Sequence, residues 1–344
     1  MNFFANYLEA NRNALFLAPM EEVTNTAFRR ICKSLGADVL VSEFVSSEAL
    51  IRDVQKSFDK MTFDESEHPF GIQIFGHDET SLVKAAQVAE EQHPDFIDIN
   101  WGCPVKKVVT KGAGAAILRD IPKMVACTKA VVNAVKLPVS VKTRLGWDMN
   151  DRPIVSVAEQ LQDIGIQAIT IHGRTRSQLY SGVADWTLIG EVKNNPRMKI
   201  PVIGNGDITS GEKAVLFKQR YGVDALMVGR AAIGNPWIFR EIKCAFSVET
   251  GRAPSLQPTL EERTNILLQH IRTTIPLVGE KKACLEIRKH YAGYFKGIPD
   301  FKKIRLELMK AITLEEVERI LESKSDLYFH SPKILSIPRF HEKA

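Results

Sequence analysis

The stretch DFIDINWGCPVKKVVTKGAGAAILRDIPKMVACTKAVVNAVKLPVSVK spans residues 95–142. Two short aliphatic runs, Asp95–Asn100 and Pro138–Lys142, bracket an amphipathic stretch over 121–135. Short apolar runs bounded by turn residues read as strands buried on both faces, as in parallel sheets, and the stretch between them reads as a helix. The first run ends on a tight turn, Gly102-Cys103-Pro104, followed by a loop with three lysines and two glycines. The segment is therefore one strand–loop–helix unit leading into the next strand.

The unit recurs along the chain. The runs are ALFLA (14–18), DVLVS (38–42), FGIQIF (70–75), DFIDIN (95–100), PVSVK (138–142), QAITIH (167–172), IPVIG (200–204) and DALMVG (224–229). Helical patterns such as SLVKAAQVAEEQ (81–92) and IVSVAEQLQDIG (154–165) separate them. Eight β-then-α units of this length predict an α/β chain with a (β/α)8 TIM barrel. A doubly wound sheet is the alternative; it usually has about five to seven strands and often carries a dinucleotide fingerprint. GAGAAI (112–117) lacks the third glycine of that fingerprint and does not directly follow a strand. No P-loop or HExxH motif is present, and no metal site is expected.

The 344 residues are 44% hydrophobic and 25% charged, an ordinary globular balance. Five widely spaced cysteines with no CxxC pair fit neither a disulfide framework nor a structural zinc site; they fit a reducing cytoplasm. The N-terminal segment has neither the basic nor the apolar region of a signal peptide, and no run approaches a membrane span. Past GRAPSLQPT (251–259) the strands stop, and helices are expected near 260–278, 281–296, 300–311 and 314–323. Thr259/Glu262 and Thr313/Glu316 read as capping boxes. Two domains follow: a barrel over 1–250 and a smaller all-α helical bundle over 251–344, with SPKILSIPRFHEKA (331–344) unassigned. The net charge of +5 lies wholly in residues 251–344, with 17 Lys/Arg against 12 Asp/Glu. That excess suits a solvated helical surface or a face for a polyanion.

In a barrel the active site lies at the C-terminal ends of the strands. Those ends carry Pro19-Met20, Glu43, Gln73, Asn100 and Cys103, Lys142 and Arg144, His172 with Arg174 and Arg176, Asn205-Gly206-Asp207, and Gly229-Arg230. The last two loops suit a phosphate, which glycine-freed amides can approach closely; tight turns with a capping Asp207 are the other reading. Gln73, Lys142 and His172 suit the pyrimidine edge of a flavin, whose reduction builds negative charge that a cation stabilises. For His172 alone, a hydrogen-bonded core histidine is the simpler reading.

APM (18–20), QIFG, DINWGCPVKKVVTKGAGAAIL, VKTRLGW, IHGRTR, IPVIGNGDI and ALMVGRAAIGNPWIF resemble the tRNA-dihydrouridine synthase family, of the bacterial type, over about residues 14–310. IRKHYAGYFKG resembles the start of that family's helical RNA-binding domain. One departure stands out: the family follows APM with Ala-Gly, and here the residues are Glu21-Glu22. The resemblance implies non-covalent FMN, NADPH as transient reductant, and a uridine in tRNA as substrate. It implies hydride delivery to C6 and a proton to C5 on the opposite face. A thiol with an ordinary pKa of about 8.5 is mostly protonated at neutral pH and can give that proton, so Cys103 is the expected general acid. Pro19, Met20, Gln73, Lys142, His172, Asn205, Gly206, Asp207, Gly229 and Arg230 are expected at the cofactor. Asn100, Arg144, Arg174 and Arg176 are expected at the base or a phosphate. Lys106, Lys107 and Lys111 are expected to face the RNA backbone, with Gly112 and Gly114 giving their loop freedom. Between Lys281 and Lys310, nine Lys/Arg face three Asp/Glu; Tyr291, Tyr294 and Phe295 among them are expected to pack rather than stack on bases. A monomer is expected. An FMN barrel acting on a free pyrimidine would need no such basic surface. A flavin-loaded RNA-binding protein without catalysis would need neither Cys103 nor Lys142.

Overall fold

A computed structural model describes residues 2–52, 54–247, 257–299 and 301–323. Nine strands form one sheet: β1 (Leu15–Leu17), β2 (Leu40–Val41), β3 (Val45–Ser46), β4 (Phe70–Phe75), β5 (Phe96–Asn100), β6 (Val139–Arg144), β7 (Ala168–His172), β8 (Val202–Asn205) and β9 (Ala225–Val228). Every pairing is parallel, in the order β1-β9-β8-β7-β6-β5-β4-β2, with β3 also on β4. The ends of that order meet. A parallel bridge joins Phe16 to Val39, the Leu17 amide donates to the Val39 carbonyl at 3.0 Å, and the Asp38 amide donates to Leu15 at 2.8 Å. The sheet is a ring, so the fold is a (β/α)8 barrel and not a doubly wound sheet. All eight predicted runs are strands; the two-residue β3 is too short to leave a pattern in the sequence.

Helices return the chain between strands, and polar caps fix where they begin. The side chains of Asn25, Asp78, Asp120 and Ser210 each accept the amide three residues on, starting the helices Thr26–Ser34, Glu79–Glu90, Ile121–Ala134 and Gly211–Tyr221. Alternation along the strands then makes two cores. Outward residues such as Ile72, Ile97, Val141, Ile169 and Val202 pack against the helices. Inward residues Phe16, Val39, Phe96, Ala168, Ile203 and Ala225 fill the lower lumen, where the helix Phe3–Ala10 plugs the floor with Phe4 edge-on to Phe96 at 4.9 Å. Higher up, the same inward face turns polar.

The chain folds as two compact units, 1–257 and 258–344. The second contains the helices Leu260–Val278, Glu280–Glu286, Phe301–Leu308 and Leu314–Glu322. Thr313 and Glu316 form a complete capping box, and Thr259 accepts the Glu262 amide. The continuous helix expected over 281–296 is broken. A tight 3-10 turn at Ile287–Lys289 separates Glu280–Glu286 from Tyr291–Tyr294. That turn carries His290 onto the ring of His270, centroids 4.8 Å apart, and Tyr294 Oη to 3.1 Å from His270 Nδ1. Tyr291, Tyr294 and Phe295 are buried, as packing residues should be. Residues 251–256 of the expected linker and the stretch 331–344 lie outside the described residues.

Gly204 of β8 shows how closely the layers approach. A Cβ there would lie 2.2 Å from the indole of Trp186, whose Nε1 is fixed on the Gly206 carbonyl at 3.0 Å. Gly204→Ala should destabilise the protein by about 1–3 kcal/mol through overpacking, read as a lowered midpoint in thermal or urea unfolding. An unchanged midpoint would show that the indole yields freely.

Candidate active site at the barrel mouth

Strand register assembles the site. Asn100 of β5 pairs with Lys142 of β6, Arg144 with His172 of β7, and His172 with Asn205 of β8. These residues face a cavity of about 650 Å³ at the C-terminal ends of the strands. Pro19, Met20, Asn100, Cys103, Lys142, Arg144, His172, Asn205, Gly206, Asp207, Gly229 and Arg230 all line it. Gln73, Arg174, Arg176, Lys106, Lys107 and Lys111 do not. Lys107 and Lys111 border a neighbouring cavity of about 470 Å³ on the other side of the cysteine loop, where Lys111 pairs with Glu48 at 3.8 Å. Lys106 is exposed.

A hydrogen-bonded chain rises from the lumen to the cysteine. Asp98, buried inside β5, accepts from Ser140 Oγ at 2.5 Å and from Gln73 Nε2 at 2.6 Å. Gln73 Oε1 accepts from Asn100 Nδ2 at 2.8 Å. Asn100 Oδ1 in turn accepts the amides of both Gly102 and Cys103, each at 2.9 Å. The amide side chains expected to meet cofactor and base are thus also the struts that shape the Cys103 turn. Gly114, at φ 57°, closes the loop behind it: a Cβ there would sit 2.8 Å from the Cys103 carbonyl. Burial pushes the Asp98 carboxyl up, against the hydrogen bonds from Ser140 and Gln73.

Cys103 packs with Val108 and Ala113 against Phe44 and Phe75. Burial pushes its thiol up, with smaller downward pulls from the Val105 amide, Arg144 and Lys142. The group is therefore a neutral thiol at pH 7. The Lys142 ammonium has no hydrogen bond or ion pair to any described residue; burial, and then the charge of Arg144, push it down to about 8 against the pull of Asp98. His172 is held well below its ordinary value by burial and then by Arg144, Lys142, Arg174 and Arg230, so its ring is neutral. Arg144 spends Nε on the Gly102 carbonyl at 2.8 Å and Nη1 on Thr175 and Leu179, which pins three loops together.

The β8 and β9 loops make a nest of donors. Gly206 and Asp207 both hold positive φ, 127° and 54°. The amides of Gly206, Asp207, Gly229 and Arg230 donate to nothing among the described residues. The Asp207 carboxylate is occupied by Arg174 at 2.8 Å, the Ala184 amide at 2.8 Å and Arg230 at 3.4 Å. Arg174 is consequently an internal brace: its other donors go to Ser181, Gly182 and His172. Glu22 takes the left-handed conformation, φ 59°, and Glu21, on the cavity rim, pairs with Lys60 at 2.5 Å. Two aromatic wall residues are among those that escaped the sequence reading. Phe44 lies between β2 and β3, next to Glu43, which could have flagged it; Tyr180, eight residues past His172, reaches back over Arg144 and Arg230, at 5.6 and 4.7 Å from its ring.

Comparison with known proteins places this arrangement. The model of the family described as Dihydrouridine synthase (Dus) matches residues 16–328. The chain belongs to the dihydrouridine synthase family. Its relatives include tRNA-dihydrouridine synthase B of Pseudomonas aeruginosa, 42% identical over 86% of this chain and 87% of that protein. The enzyme of the same name from Shewanella oneidensis is 40% identical over 90% and 95%. A probable tRNA-dihydrouridine synthase of Rickettsia prowazekii is 38% identical over 88% and 92%. Among solved structures, histamine dehydrogenase from Rhizobium sp. 4-9 shares the barrel, with a TM-score of 0.52 at 12% identity; the match covers 76% of this chain and about half, 49%, of that one. At that identity the likeness is one of fold alone. Among the described residues, no three His, Cys, Asp or Glu side chains cluster as a metal site, and no helix is long and apolar enough to cross a membrane.

The strut and the buried thiol can be tested together. In a Cys244→Ser background, which removes the one cysteine that is not buried, iodoacetamide should modify Cys103 slowly at pH 7. The rate should climb with pH to a midpoint above that of a free thiol. Asn100→Ala leaves two buried amides unpaired and should cost about 1–3 kcal/mol of stability, while raising the alkylation rate at every pH. Wild-type reactivity in that variant would show that Asn100 does not hold the loop.

Proposed function

We propose that this chain reduces the C5=C6 bond of uridine in tRNA to 5,6-dihydrouridine, with FMN in the barrel cavity and NADPH as the reductant. The observation that carries the reading is the pairing of unused donors with a protonated acid around one cavity. Lys142 and four loop amides are donors suited to an anionic ligand, and the neutral Cys103 thiol faces the same space. The donor set fits a flavin mononucleotide at both ends. The amides of Gly206, Asp207, Gly229 and Arg230, with the Arg230 guanidinium, suit its phosphate. Lys142 and neutral His172 suit its pyrimidine edge, with Gln73 behind them as the strut of Asn100; Pro19, Met20 and Asn205 would complete its wall.

When bound and reduced, the flavin supplies a hydride to C6 of uracil. The chain's own residues do the rest. Cys103 gives C5 its proton, for which the raised thiol pKa is the right state, unlike the thiolate a nucleophile requires. Asn100 and Arg144, at the base of the cysteine loop, would orient the uracil carbonyls through the N–H groups left over from their structural bonds. NADPH and one proton are consumed per base, and the two hydrogens end on C6 and C5. A uridine in folded RNA must leave its stack to enter such a cavity, so the RNA has to be held elsewhere. The basic stretch 281–310 of the helical unit, with Lys106, Lys107, Lys111 and Arg176, would hold it.

The purified protein should carry FMN, and it should restore dihydrouridine to tRNA from cells that lack it. A folded protein that takes up no flavin even when FMN is added overturns the reading. Cys103→Ala should slow uridine reduction by ~10²–10⁴-fold, the usual worth of a general acid. NADPH oxidation without tRNA, which needs no proton at C5, should stay near the wild-type rate. Equal slowing of both, measured by stopped-flow absorbance, would make the cysteine structural.

A further inference from the structure

Three mouth loops meet at one indole. Arg119 ends the 3-10 helix Gly114–Arg119 of the cysteine loop, and its guanidinium lies 3.7 Å from the centroid of the Trp147 ring. Arg176, in the loop after β7, lies 4.7 Å from the same centroid. Trp147 itself follows β6 and is zipped to that loop: the Arg176 amide donates to Gly146 at 2.9 Å, and the Ser177 amide and hydroxyl donate to the Trp147 carbonyl at 2.9 and 3.0 Å.

Neither guanidinium has a hydrogen bond or a carboxylate partner among the described residues. Arg176 Nε is buried with no acceptor at all. Nearby acids are committed elsewhere. Asp120 caps a helix through the Lys123 amide, and Asp148 accepts the amides of Asn150 and Asp151. Elsewhere on this barrel surface arginines do find acids, as Arg197 does with Glu159 and Asp163, and Arg152 with Asp185. Two like charges set on one ring without a counter-ion leave a planar, oriented donor pair for an external anion.

We propose that Arg119 and Arg176, held by Trp147, form a contact site for the phosphodiester backbone of the RNA strand beside the uridine that enters the cavity. The inference rests on the functional reading above. Guanidinium forks match phosphate oxygens in pairs, which favours backbone over base. The indole face is already taken by guanidinium, so it orients the arginines and is not free to stack a nucleobase. The position suits a flanking strand, since Arg119 shares its loop with Cys103, and Arg144 and His172 of the cavity wall lie three and four residues before Trp147 and Arg176.

The test uses the full chain and an unmodified tRNA transcript, with affinity measured by anisotropy across a salt series. Arg119→Ala and Arg176→Ala should each reduce the slope of log K against log salt by about 0.7–0.9, equivalent to roughly five- to eightfold weaker binding at 0.1 M relative to 1 M salt. The double variant should lose both increments and raise KM for tRNA more than it lowers kcat. Lysine at both positions should restore the slope while leaving affinity below wild type, since charge returns without the fork. A double alanine variant with wild-type slope and affinity overturns the proposal, whether it melts normally or, as a merely structural stack would, at a lower temperature. A wild-type chain that binds no tRNA overturns the functional reading itself, and this inference with it.

Discussion

The hydrogen bonds between Leu15–Leu17 and Asp38–Val39 close the sheet, and closure gives every strand an inside. An open parallel sheet could leave both faces to helices. A closed one must fill its lumen and satisfy every polar group placed there, because water cannot do so. The lower lumen meets that demand with Phe16, Phe96, Ala168 and Ala225. The upper lumen meets it with amides, a carboxylate and cations, and there the site begins.

The upper lumen carries more positive than negative charge. Asp98 is the buried carboxylate at its centre, while Lys142, Arg144 and Arg174 project nearby. Arg174 is neutralised by Asp207, and Arg144 is spent on carbonyls. Lys142 is left with only the longer-range pull of Asp98. Burial, and then the same field, keeps His172 neutral, and burial keeps the Cys103 thiol protonated. A cavity with unused donors and a protonated acid suits the chemistry proposed for it, an anionic ligand held and a proton given.

The loops carry the second half of the design. Arg144 ties the cysteine turn to the loop after β7, and Gly114 lets the cysteine loop fold tightly against Cys103. Glu22 holds a left-handed backbone that a glycine would adopt without strain, and Glu21 beside it brings an acid to the rim.

The eight barrel strands, the position of the mouth and about half of the cavity residues were legible in the sequence. Burial on both faces writes itself as aliphatic runs, and the polar residue that ends each run points to the functional end of the barrel. What each polar side chain does was not legible. Gln73 and Asn100 serve as struts, Arg174 as a brace and Lys111 as a partner of Glu48, because hydrogen bonds across strands depend on register and loop path. The break at Ile287–Lys289 follows from the packing of His290 on His270, twenty positions away, which no local pattern encodes. The meeting of Arg119, Trp147 and Arg176 joins three separate loops. Periodicity decides which residues face inward; only the closed ring decides which of them meet.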